Sequence, residues 1–288
     1  MTMCVFWKDQ SHNIHVATDS RLNFNNNSSL DSCVKISRLK CDIYEPCNSS
    51  AEERTPKKSI ELVITFCGGF TTAYTIKESL SEILTKIVMV PDTDELSLEK
   101  IVDLSKIVFE NVSNDIFSAL IDDKLACKFY IVGLCPKNKQ MEAYEIGYQR
   151  SNSLPTFSKN RLFSTCSYEF SGSGALFLNK NNNVKDVINK AYLKNRISYP
   201  LDILQSVIDD KHCDSVGGAI QYAECTPNGN KIFGLLENKN GNIKYMRAGI
   251  DIKDLMVPSE DDFISGLYIE ADLIEKSIDD TECDEKPL

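Results

Sequence analysis

The chain has 288 residues, 42% hydrophobic and 26% charged, which suits a globular protein with enough chain for one large core or two small ones. Its 42 acidic residues against 32 basic ones give a formal net charge of −10, excluding a nucleic-acid or anionic-membrane binder that relies on bulk positive field. Eleven cysteines without a CxxC pair, and three histidines, suggest neither a disulfide framework nor a zinc site. No apolar run approaches the roughly 20 residues of a membrane span. The opening MTMCVFWKDQ lacks the basic and apolar regions of a signal peptide, so a cytoplasmic chain with reduced thiols is expected.

In chain order, 3–7 and 14–18 read as two strands joined by a turn, with Asp19-Ser20-Arg21 ending the second. Residues 34–36 form a short strand, and the polar, proline-containing stretch 41–58 reads as an exposed loop inserted before the next strand, 61–67. Gly68-Gly69 then leads into a helix with Ala73, Ile76, Leu80, Ile83, Leu84 and Ile87 on one face. Pro91 breaks that helix, and a second follows with apolar residues recurring from Leu98 to Leu120. Strands at 128–133 and 141–147 flank the turn-forming Pro136-Lys-Asn-Lys. Helices at 184–197 and 201–212, divided by Pro200, precede strands at 219–224, 231–236 and 243–248.

Helices that arrive in adjacent pairs cannot be single right-handed crossovers between parallel strands. The expected class is therefore α+β, a four-layer αββα sandwich of two antiparallel sheets flanked by helix pairs. The domain would span 1–258. Residues 259–288 carry eleven acids and two lysines, and Phe263, Leu267, Ala271, Ile274 and Ile278 recur at helical spacing. They read as an amphipathic tail, docking on a neighbouring subunit or protein partner or packing back on the body.

The order of elements, with Thr2 behind Met1, Ala17-Thr18-Asp19-Ser20-Arg21, Val34-Lys35-Ile36, Phe66-Cys67-Gly68-Gly69, Ser171-Gly172-Ser173-Gly174 and Asp214-Ser215-Val216-Gly217-Gly218, resembles the proteasome β-subunit family of N-terminal nucleophile (Ntn) hydrolases, bacterial proteasome-like peptidases included. The resemblance covers about 2–250. The Thr2–Asp19 interval is one residue longer than in that family, and the extra residue is expected in the Lys8–Asn13 turn. Val216 stands where the family has a serine before the Gly-Gly pair.

The resemblance implies removal of Met1, leaving Thr2 with a hydroxyl and a free α-amine. An α-amine has a pKa of about 7.7–8.0, so its neutral fraction can take the hydroxyl proton without a histidine. Lys35 would depress that pKa, Asp19 would hold Lys35, and the Gly68 N–H would face the developing oxyanion. Ser173 and Asp214 are assigned to the hydrogen-bond network around the amine. Cys33, Phe66 and Phe70 would line an apolar pocket for a peptide or amide substrate. A homo-oligomer is implied, with no cofactor. Taken singly, Asp19 also fits a strand-ending turn, Lys35 a solvated strand residue, Phe66 core packing, and Ser173 and Asp214 a helix cap or turn. A non-catalytic assembly subunit and a small-molecule amidase are the competing functions. Cys4 as nucleophile would need the first three residues clipped.

Overall fold

Two sheets carry the fold of the computed structural model, which describes residues 2–24, 28–46, 55–89, 95–120, 126–151, 154–180, 199–239, 242–256 and 271–275. The first sheet begins with β1 (Met3–Lys8) and β2 (Ile14–Asp19), paired antiparallel from Cys4↔Thr18 to Lys8↔Ile14 without a bulge. The extra residue of the interval therefore lies in the turn 9–13, closed by Asp9, whose carboxylate accepts the Asn13 N–H at 2.8 Å. β11 (Tyr168–Gly172) flanks β1, and β12 (Ile220–Thr226), β13 (Gly229–Lys239), β14 (Asn242–Arg247) and β15 (Ile250–Asp251) continue beyond β2, while β3 (Leu22–Asn23) and β4 (Ser29–Leu30) pair as a separate short ribbon.

The second sheet has the order β10 (Leu154–Arg161), β9 (Met141–Ser151), β8 (Cys127–Leu134), β6 (Lys58–Gly68), β5 (Ile36–Tyr44) and β7 (Ile87–Val88). Strand alternation divides the apolar residues among three cores. Cys4, Phe6, Ile14 and Val16 of the first sheet meet Val63, Tyr130, Val132 and Ala143 of the second, so the sheets lie face to face. The other face of the second sheet packs Leu62, Ile64, Phe129 and Ile131 against α1 (Phe70–Ile83) and α2 (Leu98–Leu120), through Ala73, Ile76, Leu80, Ile101 and Phe109. The other face of the first sheet packs Met3, Val5, Trp7, Ala17 and Tyr222 against α3 (Ser173–Lys180) and α4 (Tyr199–Asp209), through Leu178, Leu204 and Val207.

Three features depart from the expected architecture. The sheets are mixed, because β7 runs parallel to β5 and β16 (Leu273–Glu275) parallel to β13. The loop expected over 41–58 starts later: β5 continues through Tyr44, pairing Ile43 with Lys58, and Cys41, Asp42 and Ile43 are buried. Asp42 is tolerated there because its carboxylate accepts the Ser59 hydroxyl at 2.6 Å and lies 2.7 Å from Lys40 Nζ. The hairpin partner β10 and the strand β11 were not anticipated, since their polar residues obscure the alternation. The helix expected at 184–197 lies outside the described residues.

Within the tail, residues 273–275 are a strand rather than part of a helix. Gly234 N–H donates to Asp272 C=O at 2.7 Å, and Ile274 packs against the core under α3 and α4. Elsewhere the expected amphipathic helix falls on residues outside those described. Truncation after Pro258 is accordingly expected to cost about 1–3 kcal/mol, the scale of one buried aliphatic side chain, and to lower the denaturant midpoint. An unchanged midpoint would leave β16 without a stabilising role. Among the described residues no helix is long and apolar enough to cross a membrane.

Candidate active site

The start of β1 and the end of β2 are neighbours, so the pairing itself carries Asp19 to Thr2. Asp19 is fully buried and each of its oxygens is shared by two donors. Oδ1 accepts the Met3 N–H at 3.0 Å and Lys35 Nζ at 3.0 Å, while Oδ2 accepts the Gly217 N–H at 3.1 Å and the Arg21 N–H at 3.2 Å. Lys35 is only 2% exposed. A buried carboxylate and a buried ammonium thus compensate one another, and one oxygen atom holds the lysine beside the backbone that follows Thr2.

Gln221 of β12 fixes the segment that delivers Lys35. Its Oε1 accepts the N–H groups of Lys35 (2.9 Å) and Ile36 (3.1 Å), and its Nε2 donates to Cys33 C=O at 2.5 Å. Ser20 ties the same region together, donating to Asp31 C=O at 2.5 Å and accepting the Ala219 N–H at 2.8 Å. Arg21 forms a two-pronged pair with Asp31, at 2.7 and 2.9 Å. This pair holds the Asp31 carboxyl below, and the Arg21 guanidinium above, their ordinary ranges. Ser20 belongs to the Ala17–Arg21 motif, whereas Gln221 and Asp31 carry none; for Gln221 a polar residue at a buried strand position is the one available signal.

Thr2 is itself buried, 2% exposed. Its carbonyl accepts the Ser173 hydroxyl at 3.5 Å, and Ser173 Oγ lies 2.8 Å from Ser215 Oγ. Gly172, at φ +90°, is needed because a Cβ there would collide with the Thr2 carbonyl oxygen. The same hypothetical Cβ would sit 3.5 Å from Cys67 Cβ, which brings the Cys67-Gly68 end of β6 to the Thr2 end of β1. Gly68 has φ +109° and pairs with Cys127; Gly69 donates to Ala126 C=O at 2.9 Å and caps α1.

Asp19 thus holds Lys35 and the Met3 N–H that follows Thr2, Ser173 reaches the Thr2 carbonyl, and Gly68 lies next to them. Asp214 is exposed, in the turn before Gly217. With Arg21, Ser173, Phe177 and Ser215 it lines an open cleft of about 820 Å³. Cys33 (5% exposed) and Phe66 (2%) belong to the core beneath α1, whereas Phe70 packs on that core with part of its ring at the surface.

Around Cys67 a second network forms. Its thiol lies 3.7 Å from both the Tyr130 hydroxyl and Ser171 Oγ, and Tyr130 also bonds Ser171 and, at 3.0 Å, Glu145. Hydrogen bonds, that from Cys4 first among them, pull the Cys67 thiol down to about 7, while burial pushes Cys4 up. Cys4 donates to Phe66 C=O at 3.4 Å.

No protein-family model matches the chain and no curated protein matches its sequence. Solved structures do resemble it. Anbu (ancestral beta-subunit) from Yersinia bercovieri superposes with a TM-score of 0.53 at 15% identity, covering 80% of this chain and 86% of that one. An Anbu mutant from Hyphomicrobium sp. strain MC1 gives a TM-score of 0.51 at 12% identity, covering 77% and 82%. At these identities the likeness is one of fold: the chain has an Anbu-like fold.

Proposed function

We propose that the chain is a threonine-type N-terminal nucleophile hydrolase that cleaves peptide or amide bonds through an acyl-enzyme. In this reading the stacked sheets with a helix pair on each outer face are the αββα sandwich of that family. The observation that carries it is the buried Asp19–Lys35 pair sharing Asp19 Oδ1 with the Met3 N–H. Such a pair costs several kcal/mol of desolvation per ion and is weak evidence of stability. Its position behind residue 2 gives it a chemical use.

The sequence of steps is short. Removal of Met1 frees the Thr2 amine, which the Lys35 ammonium biases toward its neutral form. The amine takes the Thr2 hydroxyl proton, Oγ attacks the substrate carbonyl, and the Gly68 N–H at the head of α1 donates to the oxyanion. Ser173 and Ser215 orient the Thr2 backbone, and Asp214 faces the cleft. Substrate would approach Thr2 from the cleft of Ser173, Phe177 and Asp214, with Phe70, half-buried on the α1 side, as an apolar contact and Cys33 and Phe66 packed in the core beneath α1. The tetrahedral intermediate collapses with cleavage of the substrate C–N bond, the leaving amine taking the proton held by the Thr2 ammonium; water then attacks the acyl group on Oγ, gives up a proton through the amine to Oγ, and the carboxylic acid product departs.

Intact-mass analysis after incubation with an epoxyketone tests the proposal. The expected result is a chain lacking Met1 with one adduct mapped to Thr2. Retained Met1, or an adduct on Cys4, contradicts it.

Self-association belongs to the same reading. Tyr74, Ile83 and Ile107 lie exposed on the surfaces of α1 and α2, at 39%, 42% and 55%. A second copy of the chain would cover them. Light scattering is expected to give a multiple of the chain mass, reduced toward one chain by Ile107→Lys. A monomeric wild type counts against it.

A further inference from the structure

At the opposite end of β1 from Thr2, three side chains point their acceptor atoms at one another. Asp9 comes from the β1–β2 turn, His15 from β2 and Glu224 from β12, and their ligating atoms all lie within 4.8 Å of each other. The sheet makes the arrangement, because His15 is directly opposite Trp7 on one side and Glu224 on the other. We propose that Asp9, His15 and Glu224 bind one divalent transition-metal ion of the Zn²⁺ class, a site that the sequence spacing did not suggest.

The case rests on hydrogen-bond accounting at His15, which is 2% exposed. Its ring is held in place by stacking on Trp7, 5.0 Å between centroids, and on Tyr222, 6.0 Å. Nδ1 lies 2.8 Å from the Tyr222 hydroxyl. Nε2 is buried, has no hydrogen-bond partner, and is 3.4 Å from Asp9 Oδ2. With the proton on Nδ1 and donated to Tyr222, Nε2 presents a lone pair to two carboxylates, which also present only lone pairs. Three acceptor groups therefore converge on one point.

A proton on Nε2 fits this geometry poorly, since a charge-assisted N–H···O bond closes to about 2.7–2.9 Å. A metal fits better. Bonds of about 2.0–2.1 Å in a tetrahedron put neighbouring donors about 3.3–3.4 Å apart, the spacing of Nε2 and Oδ2. The outer contacts are also those of a metal ligand set: Tyr222 orients the imidazole, and Asn13 donates to both oxygens of Asp9, at 2.8 and 2.9 Å. Mixed imidazole and carboxylate donors suit Zn²⁺ over Mg²⁺ or Ca²⁺, which take oxygen ligands. The fourth position is left to water, and the ion would join the β1–β2 turn to β12.

Titration of the metal-free full-length chain with Zn²⁺, and separately with Co²⁺ followed by visible absorption, tests the site without reference to hydrolysis. The expected result is one ion per chain with tetrahedral Co²⁺ bands and no near-ultraviolet thiolate band. Asp9→Asn and Glu224→Gln, at half-buried positions that tolerate an isosteric amide, should each weaken binding by about 100-fold or more, and Tyr222→Phe by about 10-fold. Absence of stoichiometric binding, a thiolate band from the cysteines, or equal affinity in Asp9→Asn and Glu224→Gln overturns the proposal.

Discussion

Thr2→Ala is expected to abolish amide hydrolysis and labelling by epoxyketones or β-lactones, with a fall in turnover of about 10⁶-fold, the scale set by removing the nucleophile of an acyl-transfer enzyme. The variant should fold. The Thr2 contact with the rest of the chain runs through its carbonyl, which Ser173 reaches at 3.5 Å and which alanine keeps. Only the side chain changes, at a site with 2% exposure, and the loss of one hydroxyl and one methyl falls below the scale of a buried aliphatic truncation. Thr2→Ser is the matching control: it retains the hydroxyl and the amine and should still label, more slowly. Turnover by Thr2→Ala equal to wild type, with Met1 shown to be removed, would exclude Thr2 as nucleophile. The assembly-subunit reading would then stand.

What could be read from the chain before its structure follows from which interactions are local. β1 and β2 are short apolar runs around a polar turn, and α1 follows a Gly-Gly pair, so pattern alone located the Thr2, Asp19 and Gly68 ends. Lys35 was legible only through the motif, because its strand neighbours are unremarkable and its burial depends on Asp19, sixteen residues away. Gln221 is marked only by its polarity at a buried strand position, and its role is not legible because its partners at Cys33, Lys35 and Ile36 lie on a segment distant in sequence. The strand expected at 34–36 ends where β5 begins, and the stretch from Cys41 reads as loop because a buried Asp42 looks out of place in a strand until Ser59 and Lys40 are seen to satisfy it. The same holds for Leu273–Glu275: the helical spacing of the tail is real, yet pairing with Gly234–Leu236 makes that stretch a strand. Tertiary pairing overrides a local period wherever a sheet edge offers backbone donors and acceptors.

Lys35→Met is expected to remove hydrolysis while costing stability of about 3 kcal/mol, the low end of the cost of breaking a buried ion pair. The low end applies because Asp19 would keep three N–H donors, from Met3, Arg21 and Gly217, after losing the ammonium. Those donors solvate the remaining charge in place of water. Asp19→Asn should not substitute for this variant. An amide has one acceptor oxygen, so its NH2 would face either the Met3 N–H and Lys35 or the Arg21 and Gly217 N–H groups, donor against donor. A structural role and a catalytic one then separate by measurement. Denaturant melts report the stability loss, and the pH dependence of kcat/KM in Lys35→Arg reports the amine. Arginine keeps the positive charge but moves it off the Asp19 Oδ1 position, so residual activity should persist with its acidic limb displaced toward higher pH, the Thr2 amine being less depressed and reaching its neutral, proton-accepting form only at higher pH. Hydrolysis at the wild-type rate in Lys35→Met would remove Lys35 from the mechanism and leave the pair as a fold element alone.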